Sequence, residues 1–237
     1  MMNSHEPQER LDPPLPRTLE PEVMDDPTEA ILYDEMDHSE VNRRFVEDFF
    51  RSPLAVSDPD RLLIDLGCGT AQIPIQFCRS HPEVRIMAID AAPRMLDLAI
   101  RNIDIAGLRG RIELVQADAK SMQEFSAGIA DAVISNSLLH HLAHPFAALQ
   151  QARRLIRPSG RLFFRDLMRP TTATEVDRLT ALYAGKESPA AQQLLHQSLH
   201  AALTLSEIRE MIEKLGFDPA VVQATSDRHW TLDVRSG

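Results

Sequence analysis

The chain has 237 residues and a formal net charge of −10, with 43% hydrophobic and 25% charged residues. This is the balance of a globular protein with room for one α/β domain and an extension. No apolar stretch reaches the ~18 residues of a membrane span, and residues 1–22 hold no apolar segment of the signal-peptide kind. Cys68 and Cys78 are the only cysteines, which excludes a disulfide framework and predicts a reducing, cytoplasmic location.

The acidity is local. Residues 1–60 hold 16 acids against five Arg, a balance of −11, whereas residues 61–237 hold 19 acids against 20 Lys and Arg. Neither part presents the basic face that a phosphate backbone requires, so nucleic acid is not an expected partner.

Taken in chain order, residues 1–25 read as a disordered or loosely attached tail, with five prolines in the first 22 positions. Residues 26–56 form a helical lead. Ile31, Met36, Val41, Phe45, Phe49 and Phe50 recur at helical spacings, Ser39 is placed to open a second helix, and Pro53 with the Asp-Pro-Asp at 58–60 closes the segment. Residues 57–237 then alternate. Short aliphatic runs at 61–65, 84–89, 111–115, 130–134 and 160–166 are separated by helical patterns at 71–80, 92–106, 121–126 and 145–156. Such βαβ repetition predicts a doubly wound, mostly parallel sheet. Strand candidates at 220–226 and 229–235 lie close enough to form an antiparallel terminal hairpin, for seven strands in all. Residues 171–216 read as a helical insertion whose last helix starts at Thr204-Leu205-Ser206-Glu207 and stops at Gly216.

The stretch LLIDLGCGTAQ, residues 62–72, is an apolar strand that ends in an acid and turns through two glycines. A dinucleotide fingerprint requires a third glycine three residues after the second. Gln72 stands there, so the nicotinamide reading fails. With Ala71 as the last small residue, the segment resembles that of class I S-adenosylmethionine-dependent methyltransferases. Four later segments follow the same family order: VRIMAID, ending in Asp90; LVQADA, with Asp118; AVISNSLLHHL, with Asn136; and LQQARRLIRPSGRLFFRDL. The resemblance covers about residues 30–170.

It implies a set of contacts to S-adenosylmethionine. Gly67 and Gly69, with the small Cys68 between them, let bare backbone approach the methionine part, and Asp65 faces its amino group. Asp90 accepts the ribose hydroxyls, with Ala91 beside it and Met95 flanking the adenine. Asp118, with Ala119 alongside, takes the adenine amino group, and Asn136 sits beside the methyl group. Tyr33 is expected to fold over the methionine end from the helical lead.

Ser135-Asn136-Ser137-Leu138 stands where base- and amide-methylating members of this fold often carry Asn/Asp-Pro-Pro-Tyr. SNSLLHHL and ILYDEMDH are instead similar to the small-molecule branch that includes ubiquinone and menaquinone C-methyltransferases. The function implied is methyl transfer to a small molecule by in-line displacement. The alternatives are an RNA or protein methyltransferase and a catalytically silent cofactor-binding subunit.

The His140-His141 pair could line the acceptor pocket as a base or hydrogen-bond donor, or serve structurally beside a short helix. His140 and His144 would share a helical face, but no Cys or carboxylate lies nearby in sequence and Pro145 breaks the turn, so no metal is expected. Asp166 could take a proton from the acceptor and Arg165 could pair a substrate carboxylate, or both could enter an internal salt bridge, with Arg169 a candidate partner. Met36, His38 and Tyr183 are further candidates to reach inward from the lids, and Trp230 is expected to pack on an edge strand.

Overall fold

The computed structural model describes residues 15–23, 25–52 and 61–236. The expected boundary at 56–57 and residues 1–14 of the tail lie outside these. Asp26 caps the first helix, α1 (Pro27–Glu35), accepting from the amides of Thr28 and Glu29 at 2.8 and 3.1 Å. The second helix, α2 (Ser39–Phe50), starts where Ser39 was expected to open it, with the Asp37 carboxylate accepting from the Ser39 amide.

The alternating strands and helices follow as β1 (Leu62–Leu66), α3 (Gln72–Ser80), β2 (Arg85–Asp90), α4 (Pro93–Ala106), β3 (Ile112–Gln116), β4 (Ala130–Asn136), α5 (Pro145–Leu155) and β5 (Ile156–Leu167). Three helices of the insertion come next: α6 (Ala173–Ala184), α7 (Pro189–Ala201) and α8 (Leu205–Lys214). The last strands are β6 (Val222–Ala224) and β7 (His229–Arg235). Together the strands make one seven-stranded sheet in the order β3-β2-β1-β4-β5-β7-β6. Pairings among β1–β5 are parallel, and β7 runs antiparallel to both β5 and β6. The doubly wound fold and terminal hairpin match the sequence reading.

Two apolar layers cover the sheet, and each strand alternates between them as its two-residue period requires. Ile64, Val133, Leu162 and Phe164 join the α5 and α8 side chains Leu149, Ala152, Ile208 and Ile212. Leu63, Ala132, Ile134 and Phe163 face Phe45 and Phe49 of α2, Phe77 of α3 and Ala99 of α4.

Arg161 of β5 is fully buried within the second layer. Its guanidinium forks onto Asp233 at 2.6 and 2.8 Å, donates to the carbonyls of Phe49 and Ser52, and lies over the Phe49 and Phe163 rings. Burial of that charge is offset by a full set of partners, and the arrangement pins the end of α2 to the sheet.

Four local expectations change. Residues 121–126 form turns rather than a helix, because Met122 buries alone and Arg154 of α5 takes the carbonyls of Met122 and Phe125. The helix expected to reach 156 ends at Leu155, and β5 begins at once. Its Pro158-Ser159-Gly160 forms a bulge: Ile156 pairs with Ala130, Arg161 pairs with Ala132, and Ser159 takes φ +63°. Residues 137–144 are turns, so His140 and His144 do not share a helical face. Trp230 lies on β7, inside the sheet between β5 and β6, and is fully buried rather than packed at an edge.

Residues 15–23 of the segment expected to be a loose tail are bound closely to the domain. Arg17 donates to the carbonyls of Ala201, His140 and Leu142 at 2.6, 3.0 and 2.9 Å, and more weakly to that of Leu139. Glu22 accepts from the Ala143 amide at 2.7 Å and pairs with Lys120. Prolines hide such a segment from any periodicity argument, since it forms neither helix nor strand.

Candidate active site

The sheet order reverses between β1 and β4, from which the chain builds outward in both directions. Ligands of doubly wound sheets bind in the crevice at such a switch point, beyond the carboxyl ends of the strands. A cavity of about 390 Å³ opens there. Tyr33, Asp65, Gly67, Cys68, Gly69, Asp90, Ala91, Met95, Asp118, Ala119 and Asn136, with His140 and His141, all line it.

The glycine turn is shaped from both sides. Gly67 has φ +71°, and a Cβ there would meet Leu138 at 2.8 Å, so only glycine fits. Gly69 has φ +53° and lies 3.8 Å, from its would-be Cβ, beneath the Tyr33 ring. The amides of Gly67 and Cys68 both donate to the Ile89 carbonyl. Ala71 adopts the left-handed conformation at φ +64° as it enters α3, the strain expected of a non-glycine there.

Asp90 fixes the turn as well as lining the cavity. One carboxylate oxygen accepts from the Gly69 amide at 2.8 Å, the other from Ala92 at 2.9 Å. Burial pushes its pKa up despite those donors. Asp65, 2% exposed, is pushed well above its ordinary value by burial and then by the neighbouring Asp90 carboxylate. Burial, with Asp90 and Asp65 next, raises Tyr33 to about 12. Cys68 is likewise driven up by burial and the two acids, so its thiol is kept protonated and is no nucleophile. Asp118 accepts from the Lys120 amide and pairs with its ammonium at 3.2 Å.

Ionising Asp65 beside the buried Asp90 costs stability, and that cost grows as pH rises. Asp65 titrates above its unfolded value, so its contribution is fully present below that value and is lost as pH rises through the folded one. Asp65→Asn is therefore expected to raise the melting temperature near pH 8, the gain shrinking toward about pH 4, while weakening capture of a cationic ligand. Thermal denaturation across pH tests this; a variant less stable than the parent at pH 8 would overturn it.

The three residues expected to be catalytic separate into different roles. Asp166 does not line the cavity. Its carboxylate is buried and accepts from the Leu139 and Leu167 amides at 2.6 and 2.7 Å and from His140 Nδ1 at 2.5 Å. It is fully engaged and holds His140 in place rather than touching a ligand. Burial works against its charge, but the imidazole outweighs that and lowers its pKa. For His140 burial works downward too, and Asp166 overcomes it, leaving the imidazole above its ordinary value. His141 is held below its ordinary value by burial and by His140.

Arg165 also turns away from the cavity, donating to Asp48 and Thr231, and Arg169 pairs with Glu207 instead of Asp166. The lining also includes Tyr183, Leu194, Leu195, Ser198, Arg228 and His229. Of the expected lid residues, Met36, His38 and Tyr183 reach the lining with Tyr33.

One residue that sequence reasoning missed stands beside both histidines. Glu20 lies 2.8 Å from His141 Nδ1 and 3.5 Å from His140 Nε2, and Ser198 donates to it. Burial would raise its pKa, but the His141 hydrogen bond leads a set of partners that lowers it. Nothing in LEPE, residues 19–22, marks it, because its two imidazole partners lie about 120 positions away and Ser198 lies 178 away.

Residues 64–164 match the family described as Methyltransferase domain. The segment from β1 to β5 is therefore similar to a methyltransferase domain. The chain is 27% identical over 139 residues to a malonyl-[acyl-carrier protein] O-methyltransferase of Halalkalibacterium halodurans, covering 57% of this chain and 50% of that protein. The chain thus spans half the length of that relative. A ubiquinone/menaquinone biosynthesis C-methyltransferase of Syntrophotalea carbinolica is 27% identical over 173 residues, covering 69% of this chain and 71% of its own. The fold is also that of an S-adenosylmethionine-dependent methyltransferase of Aquifex aeolicus, with TM-score 0.63, 14% identity, and coverage of 90% of this chain and 99% of that one. S-adenosylmethionine is the cofactor of this methyltransferase class, and the site fits it. The turn needs bare backbone at 67, and Asp65 with Asp90 places two buried carboxyl groups beside it, whose ionisation a cationic group would favour.

Proposed function

We propose that the chain transfers the methyl group of S-adenosylmethionine to a small-molecule acceptor in the reducing cytosol. The observation that carries this is the convergence of Asp65, Asp90 and Asp118, each at the carboxyl end of a different parallel strand, on one cavity around the glycine turn. Asp65 takes the cofactor's amino group, Asp90 its ribose hydroxyls and Asp118 its adenine amino group, with Met95 and Ala119 against the adenine. Tyr33 closes over Gly69. This reading is favoured over an RNA- or protein-directed enzyme, or a silent subunit, by relatives named as ubiquinone/menaquinone biosynthesis C-methyltransferase and ubiquinone biosynthesis O-methyltransferase.

A bound sulfonium supplies a methyl group that is already activated. The protein's work is then alignment and exclusion of water. Asn136 ends β4 next to the acceptor space, and the imidazoles of His140 and His141 give that space its polar wall. Arg17 and Glu22 hold the 139–143 turn that carries both histidines, so residues 15–23 and α1 act as the cover of the site.

Differential scanning fluorimetry with S-adenosylhomocysteine and with NAD tests the reading. S-adenosylhomocysteine at 100 times its Kd should stabilise the chain by about 2.7 kcal/mol, and NAD should not. A response to NAD alone would overturn it.

A further inference from the structure

We propose that Glu20, His140 and His141 bind a divalent transition-metal ion in the wall of the cavity. One ligand atom from each of Glu20, His140 and His141 lies within 4.8 Å of the other two. The carboxylate oxygen stands 2.8 Å from one nitrogen and 3.5 Å from the other. An ion held at about 2.0–2.2 Å by imidazole and carboxylate sets neighbouring ligand atoms roughly 3–3.5 Å apart, close to these separations.

The hydrogen-bond pattern supplies a second argument. His140 Nδ1 faces the Asp166 carboxylate at 2.5 Å and is the nitrogen that carries the proton. The opposite nitrogen, Nε2, stands 3.5 Å from the Glu20 oxygen inside a site where His140 is 2% exposed, so a second ring proton or a cation must lie between them. Two such atoms facing each other call for a positive charge between them. A metal ion supplies it, and the carboxylate–imidazole–metal relay from Asp166 is the usual outer support of a ligating histidine. Ser198 steadies the Glu20 carboxylate in the same way, with its hydroxyl 3.3 Å from each oxygen.

The carboxylates of Glu20 and Asp166 balance a dication. Arg17 passes close by, but its guanidinium is taken up by main-chain carbonyls. Two imidazoles with one carboxylate favour zinc, iron(II), cobalt or nickel over magnesium, which prefers oxygen alone. Three protein ligands leave coordination positions open. Since both imidazoles line the cavity, those positions serve an oxygen of the acceptor, a hydroxyl or carboxylate. This last assignment rests on the methyltransferase reading; ion binding does not.

The test is a titration of the untagged full chain, stripped with a chelator and dialysed, with cobalt(II) chloride alone, following the visible d–d bands. One equivalent should bind. Glu20→Ala and His141→Ala should each weaken binding at least ~100-fold, and Asp166→Asn by about 10–100-fold as an outer-support loss. S-adenosylhomocysteine binding by the same samples reports that each variant is folded, and Glu20→Gln replaces any variant that is not. Absence of cobalt binding in a chain that takes S-adenosylhomocysteine, or bands unchanged in the Glu20 and His141 variants, would show that a proton alone bridges the cluster and overturn the site. Cobalt binding without S-adenosylhomocysteine binding would support the site and count against the methyltransferase reading instead.

Discussion

Asp90→Ala is expected to bind S-adenosylhomocysteine at least ~100-fold more weakly than the parent, measured by isothermal titration calorimetry. The size follows from two losses. Charge-assisted hydrogen bonds to the ribose hydroxyls disappear, each contributing about 1.5–3 kcal/mol. The Gly69 and Ala92 amides also lose their acceptor, so the turn that cradles the methionine end is no longer held. Asp90→Asn separates the two losses poorly, because its amide group must turn a donor toward one of those N–H groups. Asp90→Glu keeps the charge but moves it by a methylene, and is expected to fall between. Affinity unchanged in Asp90→Ala would remove Asp90 from the proposed cofactor site.

The second large effect is expected at Arg17. Its guanidinium binds the carbonyls of Ala201, His140 and Leu142, joining the end of α7 to the turn after β4. Arg17→Ala leaves those carbonyls without their charged donor. The expected loss is about 2–3 kcal/mol, given that the site is half-buried. For a chain of this size that lowers the melting temperature by roughly 4–12 °C. Because the same turn carries His140 and His141, cofactor-dependent turnover should fall further than stability does. Calorimetry on Arg17→Ala and Arg17→Lys decides it: lysine restores the charge but cannot reach three carbonyls with a planar fork. A melting temperature equal to the parent's would mean that residues 15–23 only rest on the surface.

Much of the fold is legible in the sequence because burial on both faces of a parallel sheet enforces aliphatic runs. β1, β2 and β4 are of this kind, and their terminal acids and Asn136 stand out as polar breaks at the edge where ligands bind. The glycine turn is legible because backbone there must take positive φ. What stays hidden is direction and pairing. Asp166, too, is an acid near the end of an apolar strand, yet it turns onto the 139 amide and His140, away from the cavity. Strand position places a side chain on one face or the other, but which partner meets it depends on loops of no period. Glu20 shows the same limit more sharply, since an extended, proline-rich segment gives no periodic sign of the imidazoles it meets.

The buried Arg161 has a consequence for the order in which the molecule is made. It binds carbonyls at Phe49 and Ser52 on one side and Asp233 on the other, so the end of α2 and the last strand share one cation. During synthesis the helical lead emerges first, but the pairing that settles Arg161 waits for β7. Until then the guanidinium lacks its carboxylate, and burying it under α2 is unfavourable. Firm docking of α2 is therefore expected only once the final strand has joined the sheet, so the last strand made helps to seat one of the first helices.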